Sequence, residues 1–305
     1  VRLLTLTGPP GIGKTRLALA TAHALRKEFV RGVYFVDLAP VSDANLVVPT
    51  IAQAVGLRPL SARPLIQELE DHLARESVLL VLDNFEQVIA AAPAVAELLQ
   101  AAQPVKILVT SRELLRIAAE HNFPVPPLSL PPVLADQGAP RTLAVLSSER
   151  LGSYAAVELF VARAAAVHPD FVLTPDNALI VAGICCRLDG LPLAIELAAA
   201  RVRHIPASEI YARLSNPLQL LTDGTRDLPL RQRTLRNTIA WSYNLLADGE
   251  KRLLSRLAVF RGGCSLEAAE AVCGGEAPGA VFDELASLVD KSLVQRIEPS
   301  DGTAR

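Results

Sequence analysis

Five short apolar runs, rich in β-branched residues, punctuate the first 127 positions of the chain: Leu3–Thr7, Val33–Asp37, Val78–Leu82, Lys106–Thr110 and Asn122–Val125. Between them lie segments near 15–28, 44–55, 64–75 and 86–102 whose apolar residues recur at helical spacing. Strands alternating with helices of this length predict an α/β domain with a five-stranded parallel sheet, covered by helices on both faces. The run Val78–Leu82 has no polar interruption, the mark of a strand buried on both sides.

The pattern changes after residue 127. Pro126, Pro127, Pro131, Pro132 and Pro140 break any period, so 128–150 reads as a Pro-rich linker. Helical periodicity then returns in Ala155–Val167, Asn177–Leu188, Pro192–Val202 and 207–215, with no strand signal between them. Residues 151–228 are therefore expected to form a small helical domain. From 229 to 305, Leu235, Ile239, Ser242 and Leu246 fall at helical spacing. Asp248 and Ser265 are candidate helix caps, with Glu250 and Glu267 in the first turns that follow. A last helix near 280–290 leads into an expected strand, Ser292–Ile297. Three helices and half a hairpin outline a winged helix. The Asp301-Gly302 turn signal has almost nothing after it and the 305 residues contain no methionine, so the chain is expected to be a piece of a longer protein, with the winged helix cut short.

Composition narrows the possibilities. Half of the residues are hydrophobic but only 4% are aromatic, so the cores must be built from Leu, Val, Ile and Ala. A net charge of −2 gives no global attraction to nucleic acid or anionic membrane. No apolar run reaches the ~18 residues of a membrane span. The four cysteines, at 185, 186, 264 and 273, lack zinc-ligand spacing and read as buried reduced thiols. The expected location is the cytoplasm.

The chemistry begins at the end of the first strand. Gly8-Pro-Pro-Gly-Ile-Gly-Lys14-Thr15 matches G-x-x-x-x-G-K-[ST], the phosphate-binding P-loop, and sits between a strand and a helix as that motif requires. Glycines let backbone N–H groups converge on phosphate oxygens, and the helix N-terminus adds partial positive charge. The expected nucleotide-binding set is Gly8, Pro9, Pro10, Gly11, Ile12, Gly13, Lys14, Thr15 and Arg16. Lys14 would reach the β- and γ-phosphates, and the Thr15 hydroxyl would sit on Mg²⁺. Val78-Leu-Leu-Val-Leu-Asp83 ends in the carboxylate a Walker B strand supplies to the metal, so Thr15 and Asp83 are the expected Mg²⁺ ligands. Asn84 follows, where many P-loop ATPases carry the acid that activates water. Asn orients water but takes no proton, so Glu86 or Asp37 could serve as base instead, and hydrolysis is expected to be slow. Arg112, leaving the strand Lys106–Thr110, is a candidate γ-phosphate sensor. Gly190-Leu-Pro192-Leu reads locally as a helix end followed by a helix start.

GPPGIGKTRLALA, LLVLDNFEQV, ILVTSRELL, RLDGLPLAIELAAARV and the long segment from LRNTIAWSYNLL onward resemble, in that order, the nucleotide-binding region of STAND-class signal-transduction ATPases. These are the NB-ARC-type modules, similar to apoptotic ATPases and plant resistance proteins. The resemblance covers nearly the whole chain and is nearest to bacterial transcriptional regulators. It implies a P-loop domain, a helical domain and a winged helix closing over ADP or ATP. It places the P-loop role on Gly8–Thr15, the Mg²⁺ role on Asp83 and the sensor role on Arg112. Pro192 becomes the GLPL proline that packs near the adenine. It also implies self-association in the ATP state, covalently linked sensor or effector domains, and a winged helix that acts as a lid. The adenine-contacting motif that precedes the P-loop in this family is absent here, and the winged-helix motif that touches the ADP phosphate would lie beyond residue 305.

Two other readings stay open. A turnover ATPase, such as a AAA+-like motor, would favour a clear Walker B glutamate, against which Asn84 stands. Direct DNA binding would use the basic cluster Arg226, Arg231, Arg233 and Arg236. Without an overall basic excess, a solvated or nucleotide-facing helix end is the expectation.

Overall fold

The computed structural model describes residues 1–58, 63–75, 77–132, 147–214, 221, 234–260, 262–274 and 280–296. The described chain divides into two compact units. One comprises Val1–Pro9, Lys14–Val125 and Leu245–Arg305; the other comprises Pro10–Gly13 and Pro126–Asn244.

The first unit is built on five parallel strands: β1 (Leu3–Thr7), β2 (Gly32–Asp37), β3 (Val78–Asp83), β4 (Val105–Thr110) and β5 (Glu120–Pro124). Their order across the sheet is β2-β3-β4-β1-β5. All six residues of β3 are buried. The period of two sends Val78, Leu80 and Leu82 to one face and Leu79 and Val81 to the other. On the first face they meet Ile51 of α2 (Val47–Ala54), Leu69 and Leu73 of α3 (Leu65–Leu73), and Val95, Leu98 and Leu99 of α4 (Ala92–Ala101). On the other face Leu79, Val81, Leu6 and Leu108 pack with Ala18 and Ala22 of α1 (Lys14–Leu25). The small alanines of α1 let the helix approach closely. Parallel register puts the C-terminal ends Thr7, Asp37, Asp83 and Thr110 along one edge, with Asp37 directly opposite Asp83.

The second unit is helical. It contains α5 (Ser148–Gly152), α6 (Ala155–Val167), α7 (Pro175–Arg187), α8 (Pro192–Ala200), α9 (Ala207–Arg213) and α10 (Leu235–Asn244). Its core is mostly aliphatic, with Val181, Ile184, Ile195 and Ile210 fully buried around Phe160. Cys185 belongs to this core, and burial pushes its thiol up to about 12. All four cysteines are free thiols.

Within the first unit the C-terminal residues form α11 (Asp248–Leu257), α12 (Leu266–Cys273) and α13 (Ala280–Asp290), around Leu246, Leu253, Ala269 and Leu288. The Ser265 hydroxyl caps α12 by accepting from Ala268 N–H (3.3 Å). Asp248 is not a cap: it is the first residue of α11, and the Glu250 carboxylate accepts from the preceding Ala247 N–H at 2.7 Å. Glu250 also binds Lys291 Nζ at 2.5 Å, closing α11 onto the end of α13. The expected strand from Ser292 is not formed among the described residues 292–296. Ser292 instead adopts a left-handed conformation (φ 56°) and turns the chain back so that Leu293 N–H bonds Leu288 O. Ile297, the basic cluster residues 226, 231 and 233, and the Asp301-Gly302 turn lie outside the described residues. Among the described residues no helix is long and apolar enough to cross a membrane.

Candidate functional site

Asp83 ends a buried strand whose other five residues are apolar, so its carboxylate needs partners at the sheet edge. It finds three. Oδ1 accepts from Thr15 Oγ1 (2.7 Å) and Thr110 Oγ1 (2.5 Å), and Oδ2 accepts from Asn84 Nδ2 (2.7 Å). Asp83 is only 3% exposed. Burial pushes its carboxyl above the usual carboxylate range, and the hydroxyls of Thr110 and Thr15 oppose that shift. Asn84 N–H donates in turn to Thr110 Oγ1 at 3.0 Å. Asn84 itself is left-handed (φ 64°, ψ 44°), a conformation Asn tolerates better than most residues.

Lys14 opens α1. Its ammonium turns back onto the loop, donating to Gly8 O (2.6 Å) and Pro9 O (3.2 Å). Burial lowers its pKa from 10.5 to about 8; the nearby Glu86 and Asp83 charges raise it, and Arg112 lowers it further. Arg112 follows β4 and is 6% exposed. Its Nε lies 3.1 Å from Glu86 Oε1, and both side chains are about as buried as each other. Glu86 is thus brought to Arg112, three residues after Asp83, by the tight 3-10 turn Phe85–Gln87. Asp37, opposite Asp83 in the register, is exposed; its carboxylate accepts from Ala39 N–H at 2.9 Å, and its charge adds to the rise of the Asp83 carboxyl.

The loop holding Arg112 is organised by a residue the sequence pattern did not single out. Glu120 at the start of β5 accepts from Leu115 N–H (2.9 Å) and Arg116 N–H (2.8 Å), and from Thr5 Oγ1 at 2.6 Å. No motif marks a glutamate on an edge strand. The C-terminal helices reach the same loop. Ser292 Oγ donates to Arg112 O (3.0 Å), and Arg116 pairs with Asp290 at 2.5 Å.

Within the second unit, the loop apex Pro10–Gly13 meets the start of α8. Leu193 N–H donates to Gly11 O at 3.2 Å. Gly11 has φ +82°, and a Cβ there would sit 2.9 Å from Leu193 Cβ, so a side chain is excluded twice over. Pro192 is the first residue of α8, and its ring lies 3.9 Å from where a Gly13 Cβ would project. Leu193 went unnoticed in the sequence, because GLPL reads locally as no more than a helix start. Ile12 is buried, and Arg16 lies exposed on the first turn of α1.

Comparison with known proteins places these features in a family. A model described as an AAA domain matches residues 2–118, and one described as a winged helix-turn-helix domain matches residues 246–305. An uncharacterized protein of Mycobacterium tuberculosis is 38% identical over 297 residues, covering 96% of this chain and 70% of that protein. The chain belongs to the family of that mycobacterial protein. It pairs a P-loop ATPase domain of the AAA type with a C-terminal winged helix. A putative HTH-type transcriptional regulator of M. tuberculosis is 43% identical over 296 residues, but the chain spans only 31% of its length. The regulatory protein AfsR of Streptomyces griseus is 25% identical over 307 residues, with 28% of its length covered. Among solved structures, the ORC2 protein of Aeropyrum pernix, determined as ADPNP-ADP complexes, has a similar fold. Its TM-score is 0.51 at 15% identity, over 99% of this chain and 82% of that one.

Proposed function

We propose that this chain is an ATP/ADP-binding switch module of the STAND class, hydrolysing ATP slowly and serving a larger bacterial regulator. The observation that carries the reading is the hydrogen-bonded set Thr15–Asp83–Thr110 beside Lys14 at the C-terminal edge of the sheet. A hydroxyl and a carboxylate oxygen 2.7 Å apart are the hard-oxygen pair that Mg²⁺ takes. Among the described residues no cluster of three His, Cys, Asp or Glu could hold a metal alone. That fits a metal shared with nucleotide phosphates. Mg²⁺, when bound, would neutralise phosphate charge. Lys14 would exchange its loop carbonyls for phosphate oxygens, Thr15 and Asp83 would hold the metal, and Asn84 would orient water without taking its proton.

The winged helix is read as a lid. Ser292 and Asp290 contact the loop that bears Arg112. The segment 246–305 carries ten acidic against seven basic residues, a net −3, which disfavours a DNA backbone. Nucleotides act as a switch only if they bind two arrangements of the protein with different affinity, and contacts from a mobile lid would supply that difference. Self-association in the ATP form and linked sensor or effector domains complete the proposal.

The test is Asp83→Asn. Asn keeps the shape but loses the charge, so nucleotide affinity should fall by at least about tenfold with Mg²⁺ and change little in EDTA. An equal loss in both conditions would assign Asp83 a purely structural role.

A further inference from the structure

We infer that Glu86 is a positioning residue: it is the counter-ion that holds Arg112, and it is not the base that activates water. The inference rests on the nucleotide-binding reading above and assigns Glu86 a role within that site. Two cations, Lys14 and Arg112, gather at the sheet edge, close enough for the Arg112 charge to lower the Lys14 pKa. Two carboxylates accompany them. Asp83 is occupied by Thr15, Thr110 and Asn84, while Glu86 lies against Arg112 at 3.1 Å with its side chain 7% exposed. Its second oxygen, Oε2, is buried without a hydrogen-bond partner among the described residues.

A general base needs a lone pair presented to water and freedom to take a proton. Glu86 has neither. Its charge belongs to a buried ion pair with Arg112. Its position is instead that of a holder: the left-handed Asn84 and the turn Phe85–Gln87 aim it back at the end of β4. Arg112 can turn to a γ-phosphate only by giving up part of this pair. Glu86 therefore sets the cost of recruiting the sensor, and that cost falls on ATP and not on ADP. Ser292, donating to the Arg112 carbonyl, fixes the backbone while the side chain exchanges partners.

The experiment is Glu86→Gln in the full-length protein, with ATP and ADP affinities measured by titration calorimetry in Mg²⁺ and single-turnover hydrolysis measured alongside. The charge of Arg112 is then less compensated, so ATP should bind about tenfold more tightly and ADP within about twofold of wild type, with hydrolysis retained. Thermal stability without nucleotide should fall and be restored by ATP. Glu86→Asp, which keeps the charge, should return the ATP-to-ADP ratio toward wild type. In the double variant Glu86→Gln, Arg112→Gln the ATP preference should vanish, and this variant also serves if the single change folds poorly. Loss of hydrolysis by more than about a hundredfold with affinities unchanged would make Glu86 the base and overturn the inference. Equal changes for ATP and ADP would reduce it to a structural residue and overturn it as well. Wild-type protein that binds neither nucleotide would sink the nucleotide-binding reading itself.

Discussion

Lys14 shows how much a single side chain can report. Its pKa is lowered to about 8 by burial, whereas in the unfolded chain it would be near 10.5. Between those values the unfolded chain binds more protons, so this group's contribution to stability rises with pH across that window. Nucleotide has the opposite preference, since phosphate favours the charged ammonium. ATP affinity should therefore hold from pH 6 to 7.5 and weaken about tenfold between pH 7 and 9, with proton uptake on binding above pH 8. Calorimetry in buffers of different ionisation enthalpy measures both. A flat profile would place Lys14 outside the phosphate site. Asn84 makes a second residue-scale case. The sequence suggests Glu as the natural replacement, but Asn84 is left-handed, and Glu there would be strained. Asp tolerates that conformation and supplies a carboxylate, at the loss of the bond from Nδ2 to Asp83. Asn84→Asp is expected to raise single-turnover hydrolysis by up to ~10²-fold with ATP binding preserved. If binding holds and the rate does not move in rapid-quench measurements, the residue after Asp83 does not limit hydrolysis.

At the scale of elements, Gly190 explains why a turn that looks generic is particular. It has φ +66°, and a Cβ there would come 2.5 Å from Leu128 O, while Leu128 N–H bonds Gly190 O at 3.0 Å. The Pro-rich strap of residues 126–132 crosses the turn here. Gly190→Ala should destabilise the protein by about 2–4 kcal/mol, seen as a lower midpoint in urea. Gly56→Ala, equally left-handed (φ +75°) but with nothing within 4 Å among the described residues, should cost only about 1 kcal/mol. Similar losses at both sites would mean that the close approach of the strap carries no energy. Sequence pattern located the elements well wherever burial imposed a strict period. Strands β1 to β4 and the helices at 155–167 and 280–290 lie where apolar spacing puts them, whereas β5, with no buried residue, begins at Glu120, two residues before the expected Asn122. It failed at Asp248 and Ser292, where a side chain folding back onto a neighbouring N–H and a single left-handed residue decide the outcome. Neither leaves a period to read.

For the whole molecule, the P-loop and the acidic strand end were legible because each is local: a few consecutive residues carry the chemistry. The pairing of Glu86 with Arg112, the hold of Glu120 on the sensor loop and the seat of Leu193 on Gly11 were not. They join residues 26, 5 and 182 positions apart, through contacts that no local pattern encodes. The fold sets Glu86 against Arg112 at the C-terminal edge of the sheet, near Lys14 and Asp83, and the proposed switch depends on that convergence. Its most direct test is titration of ADP and of ATP, each with Mg²⁺, into the full-length protein and its Lys14→Ala variant, with circular dichroism to confirm that the variant is folded. Lys14 donates to the loop's own carbonyls, Gly8 O and Pro9 O, so its removal should leave the domain intact. The expected result is a loss of affinity of about a hundredfold or more for both nucleotides. Affinities within twofold of wild type in a folded variant would contradict the account.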